Sequence, residues 1–289
     1  MDITINGTAS GTDTAGKTIG QALSEIDERL EAAGAIIVGV RVDGIDVDAD
    51  SLAGAAERDA GGPGTIELAA EPAADMKARA VETLLELVTA AASAGTPEGI
   101  AAVRGTWDSF RAAFGGLFSA EEESFMDAFG VSLSGGAAGN DGTATGETGA
   151  KLSAFFGERL AELRSPAEAM RSASRVFDAI RDDLAEVSVR LQTGKDAEAM
   201  KTMVVAVELI NKTVRIMPLF VHAVPAAAAM TIGGKSIADF YTEFNDSLRE
   251  LAGAFEAKDG VLIGDLAEYE MLPRLDAFFR AIRDLPEAP

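Results

Sequence analysis

Alternating β-branched residues stop at Pro72, and every periodic segment beyond it has helical spacing. That change limits the fold more than any motif does, because a period of two buries one face of a sheet and a period near 3.6 one stripe of a helix. Before it lie a short strand at residues 2 to 6 (DITIN) and a helix from Thr18 to Ala33, with Ile19, Leu23, Ile26 and Leu30 on one face and Gly34 as its stop. AIIVGVRVDGIDVD then places β-branched residues on both sides of Asp43-Gly44, a pair that favours a tight hairpin. A polar, Gly-rich passage follows, and TIELAAE reads as the last strand. The prediction is a small α+β domain over residues 1–72, with its sheet against one helix.

Residues 73–289 predict an all-α bundle of antiparallel helical hairpins. Met76, Ala80, Leu84, Leu87 and Ala91 recur at helical spacing, and after Gly95-Thr96-Pro97 a second helix carries Val103, Trp107, Phe110 and Phe114. Ser119 precedes three glutamates and reads as an N-cap. VSLSGGAAGNDGTATGETGA, residues 131–150, is poor in apolar residues and is expected to be a flexible loop. Helices follow at Lys151 to Leu163 and from Pro166 to Gly194. The next one repeats Met203, Val207, Ile210, Val214, Met217 and Val221 at alternating steps of four and three, a seam that asks for a helical neighbour. Ser236 to Ala257 and Asp259 to Leu285 form a last pair, in which Pro273 is expected to kink the helix. The strand, helix, hairpin, strand order of the first domain resembles a β-grasp in topology.

Forty-seven Asp and Glu against 25 Lys and Arg give a formal charge of −22. A surface of that sign repels phosphate backbones and anionic lipid heads, so neither nucleic acid nor a membrane is an expected partner. The chain has no cysteine, which removes disulfides and thiolate chemistry. The opening MDITINGTAS also lacks the pattern of a secretory signal, and a cytoplasmic setting is expected.

One stretch has the letters of a phosphate-binding loop. GTDTAGKT supplies Gly11, Gly16, Lys17 and Thr18 in the G-x-x-x-x-G-K-[ST] pattern. A working loop joins a buried parallel strand to a helix and needs a second acid for Mg²⁺. Here a short ITI strand and a length of polar chain come first, so the glycines and threonines read as turn and cap residues. Nucleotide binding through Lys17 and Thr18 stays as the alternative.

His222, the single histidine, lies at the apolar end of a helix, where it suits packing or the helix dipole. Asp265, Glu268 and Glu270 read as a solvated face. No catalytic set, cofactor or metal site is implied. Trp107, Phe110 and Phe114 in GTWDSFRAAFGGLF are candidates for a partner-docking face, and fit a packed helix equally well.

KDGVLIGDLAEYEMLPRL, with its D-x-V-L-x-x-D-L-x-E-Y-E-x-x-P pattern, resembles segments of uncharacterised bacterial proteins and brings no activity with it. The acidic antiparallel helices are similar to flagellar export chaperones, which implies a bundle holding a partner's amphipathic segment. The function expected is a non-enzymatic, protein-binding adaptor or chaperone-like module whose partner is basic or amphipathic. A nucleotide-dependent switch or enzyme is one alternative, and homo-oligomeric self-assembly through the long helices is the other.

Overall fold

The computed structural model describes residues 1–94, 96–135 and 143–285. It has a five-stranded mixed sheet near the N-terminus followed by a mostly helical chain, which is the α+β then all-α class expected. By contacts the chain divides into two compact units, Met1–Leu163 and Arg164–Pro289. The boundary expected at Pro72 marks the end of the sheet, while the helices just after it belong to the same unit as the sheet.

In the first unit, β1 (Asp2–Ile5) pairs antiparallel with β2 (Thr8–Ala9). Asn6 and Gly7 make the turn at φ 50° and 79°, the left-handed geometry of a two-residue hairpin. α1 (Ile19–Ala32) crosses the sheet and leads into β3 (Ala35–Val42). Asp43 and Gly44, at φ 52° and 80°, return the chain to β4 (Ile45–Asp46), so the expected hairpin forms. β5 (Thr65–Pro72) runs parallel to β1 and antiparallel to β3, giving the order β2-β1-β5-β3-β4. Ile3, Ile19, Leu23, Ile26, Ile66 and Leu68 close the core between sheet and helix. The polar passage after β4 contains a helix that composition hid, α2 (Ala49–Ala55), whose N-cap Asp48 accepts from the Ser51 N–H at 2.8 Å.

α3 (Ala73–Ser93), α4 (Pro97–Phe114), α5 (Ala120–Gly135) and α6 (Thr143–Arg164) complete that part of the chain. The flexible loop expected at 131–150 is corrected here: residues 131–135 end α5 and 143–150 begin α6, while 136–142 lie outside the described residues. At Gly149 the small residue serves close packing. A Cβ on the buried Gly149 would come within 3.1 Å of Val88 of α3 and 3.6 Å of Phe129 of α5, so a small residue is what lets α6 approach both.

The second unit comprises α7 (Pro166–Ala185), α8 (Val187–Gln192), α9 (Asp196–Ala223), α10 (Ile237–Ala257), α11 (Gly260–Asp265) and α12 (Leu272–Arg283). A two-residue hairpin on Gly233-Gly234, between β6 (Thr231–Ile232) and β7 (Lys235–Ser236), precedes α10. Phe177 and Phe279 stack at 5.1 Å, and Phe240, Phe278 and Leu251 extend the same core. The kink expected at Pro273 takes the form of a π turn just upstream, over Leu266–Met271, where the Leu272 N–H reaches back to the Ala267 carbonyl. A proline ring would strike the carbonyl four residues before it, and a widened turn moves that carbonyl aside. The Arg274 guanidinium donates at 3.0 Å to the Glu270 carbonyl in the same stretch.

Candidate functional site

GTDTAGKT folds into the loop that enters α1. It leaves from β2, a two-residue antiparallel strand at the edge of the sheet. Gly11 and Gly16 take φ of 68° and 69°, and Thr18 caps the helix in a reciprocal box with Gln21. A phosphate cradle uses the loop's backbone amides, and within the motif Lys17 and Thr18 already donate inside the protein, as Ile19, Gly20 and Gln21 do just after it. The acceptors are the Thr14 carbonyl for Lys17, Gln21 Oε1 for Thr18, the Arg58 carbonyl for Ile19, the Ala56 carbonyl for Gly20 and Thr18 Oγ1 for Gln21. The Lys17 ammonium lies 2.7 Å from Glu25 Oε2. These bonds place Lys17 and Thr18 at the entry to α1, with the lysine paired to Glu25.

The aromatic run is interior. Trp107 and Phe110 are buried and Phe114 is half-buried. The Trp107 ring meets Phe129 edge-on at 5.3 Å, and a Cβ on Gly130 would fall 2.9 Å from its Nε1. The docking face expected on Trp107, Phe110 and Phe114 is therefore corrected: Trp107 packs on α5 and Phe110 between Phe114 and Phe118, because burying aromatic area within the fold outweighs leaving it in water.

Beside those rings lies a buried ionic cluster. Glu122 is 2% exposed and sits at the third position of α5, where it completes the capping box that Ser119 begins. Its Oε2 also takes a 2.7 Å bond from Lys77 of α3. Arg159 of α6, 6% exposed, lies 3.1 Å from Glu121, 3.5 Å from Glu162 and 3.8 Å from Glu122, with its guanidinium 4.4 Å above the Phe155 ring. Burial works to raise the Glu122 carboxyl, but the bonds from Lys77 and Ser119 outweigh it and hold the group below the usual glutamate value. With each charge opposed by another, the cluster locks three helices together.

His222 is exposed in the last turn of α9. Asp265 is exposed, Glu268 and Glu270 are half-buried, and Glu270 pairs with Arg274. Among the described residues no three His, Cys, Asp or Glu side chains converge as a metal site would require. No described helix is long and apolar enough to cross a membrane.

A candidate surface that the sequence did not reveal runs between α9 and α10. The four-three seam splits in the structure: Met203, Ile210 and Met217 enter the core, while Val207 is half-buried and Val214 is 44% exposed. Together with Met200, Val204 and Asn211, those last two form a second stripe at steps of four and three on the open side of α9. Leu248, Leu251, Ala252 and Phe255 of α10 face it across a groove of about 560 Å³, and Glu208 is its charged member. The signal was in the sequence, since α9 carries more apolar residues than one helical seam can bury.

Residues 1–71 match the model of the TP0873 N-terminal domain, and residues 168–280 match that of a domain of unknown function, DUF8042. The first match spans the sheet with α1 and α2, the second runs from α7 into α12, and α3 to α6 lie between. No curated protein and no solved structure matches the chain.

Proposed function

We propose that this chain is a protein-binding module and that the groove between α9 and α10 receives an amphipathic helix of its partner. The observation that supports this reading is the second apolar stripe of α9, on which Val204 is 54% exposed and stands with Met200 and Val207 opposite the Leu248, Leu251 and Phe255 wall. Two helices leave a trough whose width suits a third, and a helix laid there would place side chains at i, i+3, i+4 and i+7 against the valines and leucines. Glu208 at the rim and the −22 charge of the chain favour a partner with lysine or arginine beside its apolar face.

The test places a photo-crosslinking phenylalanine derivative at Val204 of the full chain in cells, with Val189, equally exposed on α8, as the control site. Adducts at position 204 that map to the apolar face of one helix in another protein support the proposal. The purified partner should then bind Val207→Asp at least roughly tenfold more weakly. Adducts between two copies would favour self-assembly instead, and equal adducts at both sites would remove the groove as a binding face.

A further inference from the structure

The edge of β3 is open. β4 pairs only with Arg41 and Val42, and the Val47 N–H adds one bond to the Val40 carbonyl. Ala35, Ile36, Ile37 and Gly39 are paired on the β5 side, and among the described residues no strand meets this stretch on the other. Proteins usually guard such an edge with lysine, proline, a β-bulge or a covering element, and here a register shift at Val38 is what interrupts it. This one reads Ala-Ile-Ile-Val-Gly.

A groove of about 680 Å³ runs along that edge. Four consecutive β3 residues, Ile37 to Val40, line it. Successive side chains point to opposite faces of a sheet, so a groove touching four in a row follows the edge itself. Leu23 of α1, Val47 after β4 and Leu52 of α2 form its apolar wall. At Val38, 44% exposed, the register between β3 and β5 shifts. Asp27 of α1 is the one charged residue lining the groove, and among the described residues it has no ion-pair partner. Residues 1–72 carry 14 acids and 4 bases, so a second copy of this edge would meet like charge.

We infer that this edge takes an extended segment of a partner protein, apolar on one side and bearing lysine or arginine, which adds to β3 as a further strand. Main-chain bonds along the open stretch, roughly 17 Å for five residues, would hold the segment. Its apolar side chains would enter the wall of Leu23, Val47 and Leu52, and its cation would meet Asp27. This surface belongs to the first unit and does not depend on the α9 and α10 groove.

The test is an NMR titration of the ¹⁵N-labelled full chain with a capped octapeptide alternating valine and lysine, beside one alternating valine and glutamate. The lysine peptide should shift the amides of Ile36 to Val40 and those near Asp27, and the glutamate peptide should not. Asp27→Lys should weaken the lysine peptide by roughly tenfold. Val38→Lys, an exposed substitution that guards the edge, should do the same while the remaining amides keep their dispersion. The inference fails if millimolar lysine peptide leaves β3 unmoved, if both peptides bind equally, or if β3 shifts with protein concentration alone as a dimer forms.

Discussion

The helices of Met1–Leu163 bury Glu122, Arg159 and Glu162, whereas among the described residues those of Arg164–Pro289 bury no charge and four hydroxyls, Ser174, Thr202, Thr213 and Ser247. Three of the hydroxyls answer to their own helix: Thr202 donates to the Glu198 carbonyl, Thr213 to that of Ile210 and Ser247 to that of Glu243. Such groups cost little and specify little about their neighbours. A buried guanidinium or carboxylate has no such recourse, and Glu122 is satisfied only when α3 and the α5 cap are both in place. The charges divide in the same sense. Met1–Leu163 holds 27 acids and 10 bases, Arg164–Pro289 20 and 15. The first unit is strongly acidic and buries an ionic cluster beside its apolar cores, while among its described residues the second buries no charge.

The sharpest way to break this contrast is Arg159→Met, which leaves Glu122 and Glu162 buried beside an apolar chain. It should cost about 3–5 kcal/mol, the range for removing one partner of a buried pair. Hydrogen exchange should rise in α3, α5 and α6, and unchanged exchange there would show that the ions are not needed. In the second unit the vulnerable point is a close crossing, because a Cβ on Gly264 would lie 2.8 Å from Ser188 Cα. Gly264→Ala should therefore cost about 1–3 kcal/mol by urea denaturation. Adding Ser188→Gly should recover only part of it, since the obstacle includes backbone.

Acid should separate the two regions further. Glu122 is held below its ordinary value, so its contribution is complete above the usual glutamate range and is lost as pH falls through the lowered value. The stability gap between the native chain and Glu122→Gln should be widest at neutral pH and close on acidification. A gap independent of pH would mean that the carboxylate's charge contributes nothing. The smallest effect belongs to Asp276, which accepts two 2.9 Å bonds from Arg181 at the surface of the second unit. Its carboxyl is lowered chiefly by those bonds, yet Arg181 is half exposed to solvent, and Asp276→Asn should cost less than about 1 kcal/mol by urea denaturation.

Local chemistry was well legible. Asp43-Gly44 announced its turn, Ser119 its cap, and the TIELAAE run its strand, because each depends on neighbours within a few residues. Composition misled where small residues serve packing: the Gly-rich run around Gly149 reads as loop and folds as helix, since the close approach to Val88 and Phe129 is made by residues far away in sequence. It also misled at Trp107 and Phe110, whose helical spacing is the same whether the face meets water or α5. Of the two surfaces that carry binding proposals, the sequence showed the apolar residues and hid their exposure.

The sequence by itself determined the class of each region, the turns and caps, the acidity, and the excess of apolar residues on α9, all of which follow from local spacing and counting. Tertiary structure decided which of those residues are spent. It closed the Lys17 and Thr18 amides of GTDTAGKT onto Thr14 and Gln21, turned the aromatic run inward, and left the α9 stripe and the β3 edge open. Burial is a property of pairs of surfaces, and which pairs meet depends on contacts between residues far apart in the chain.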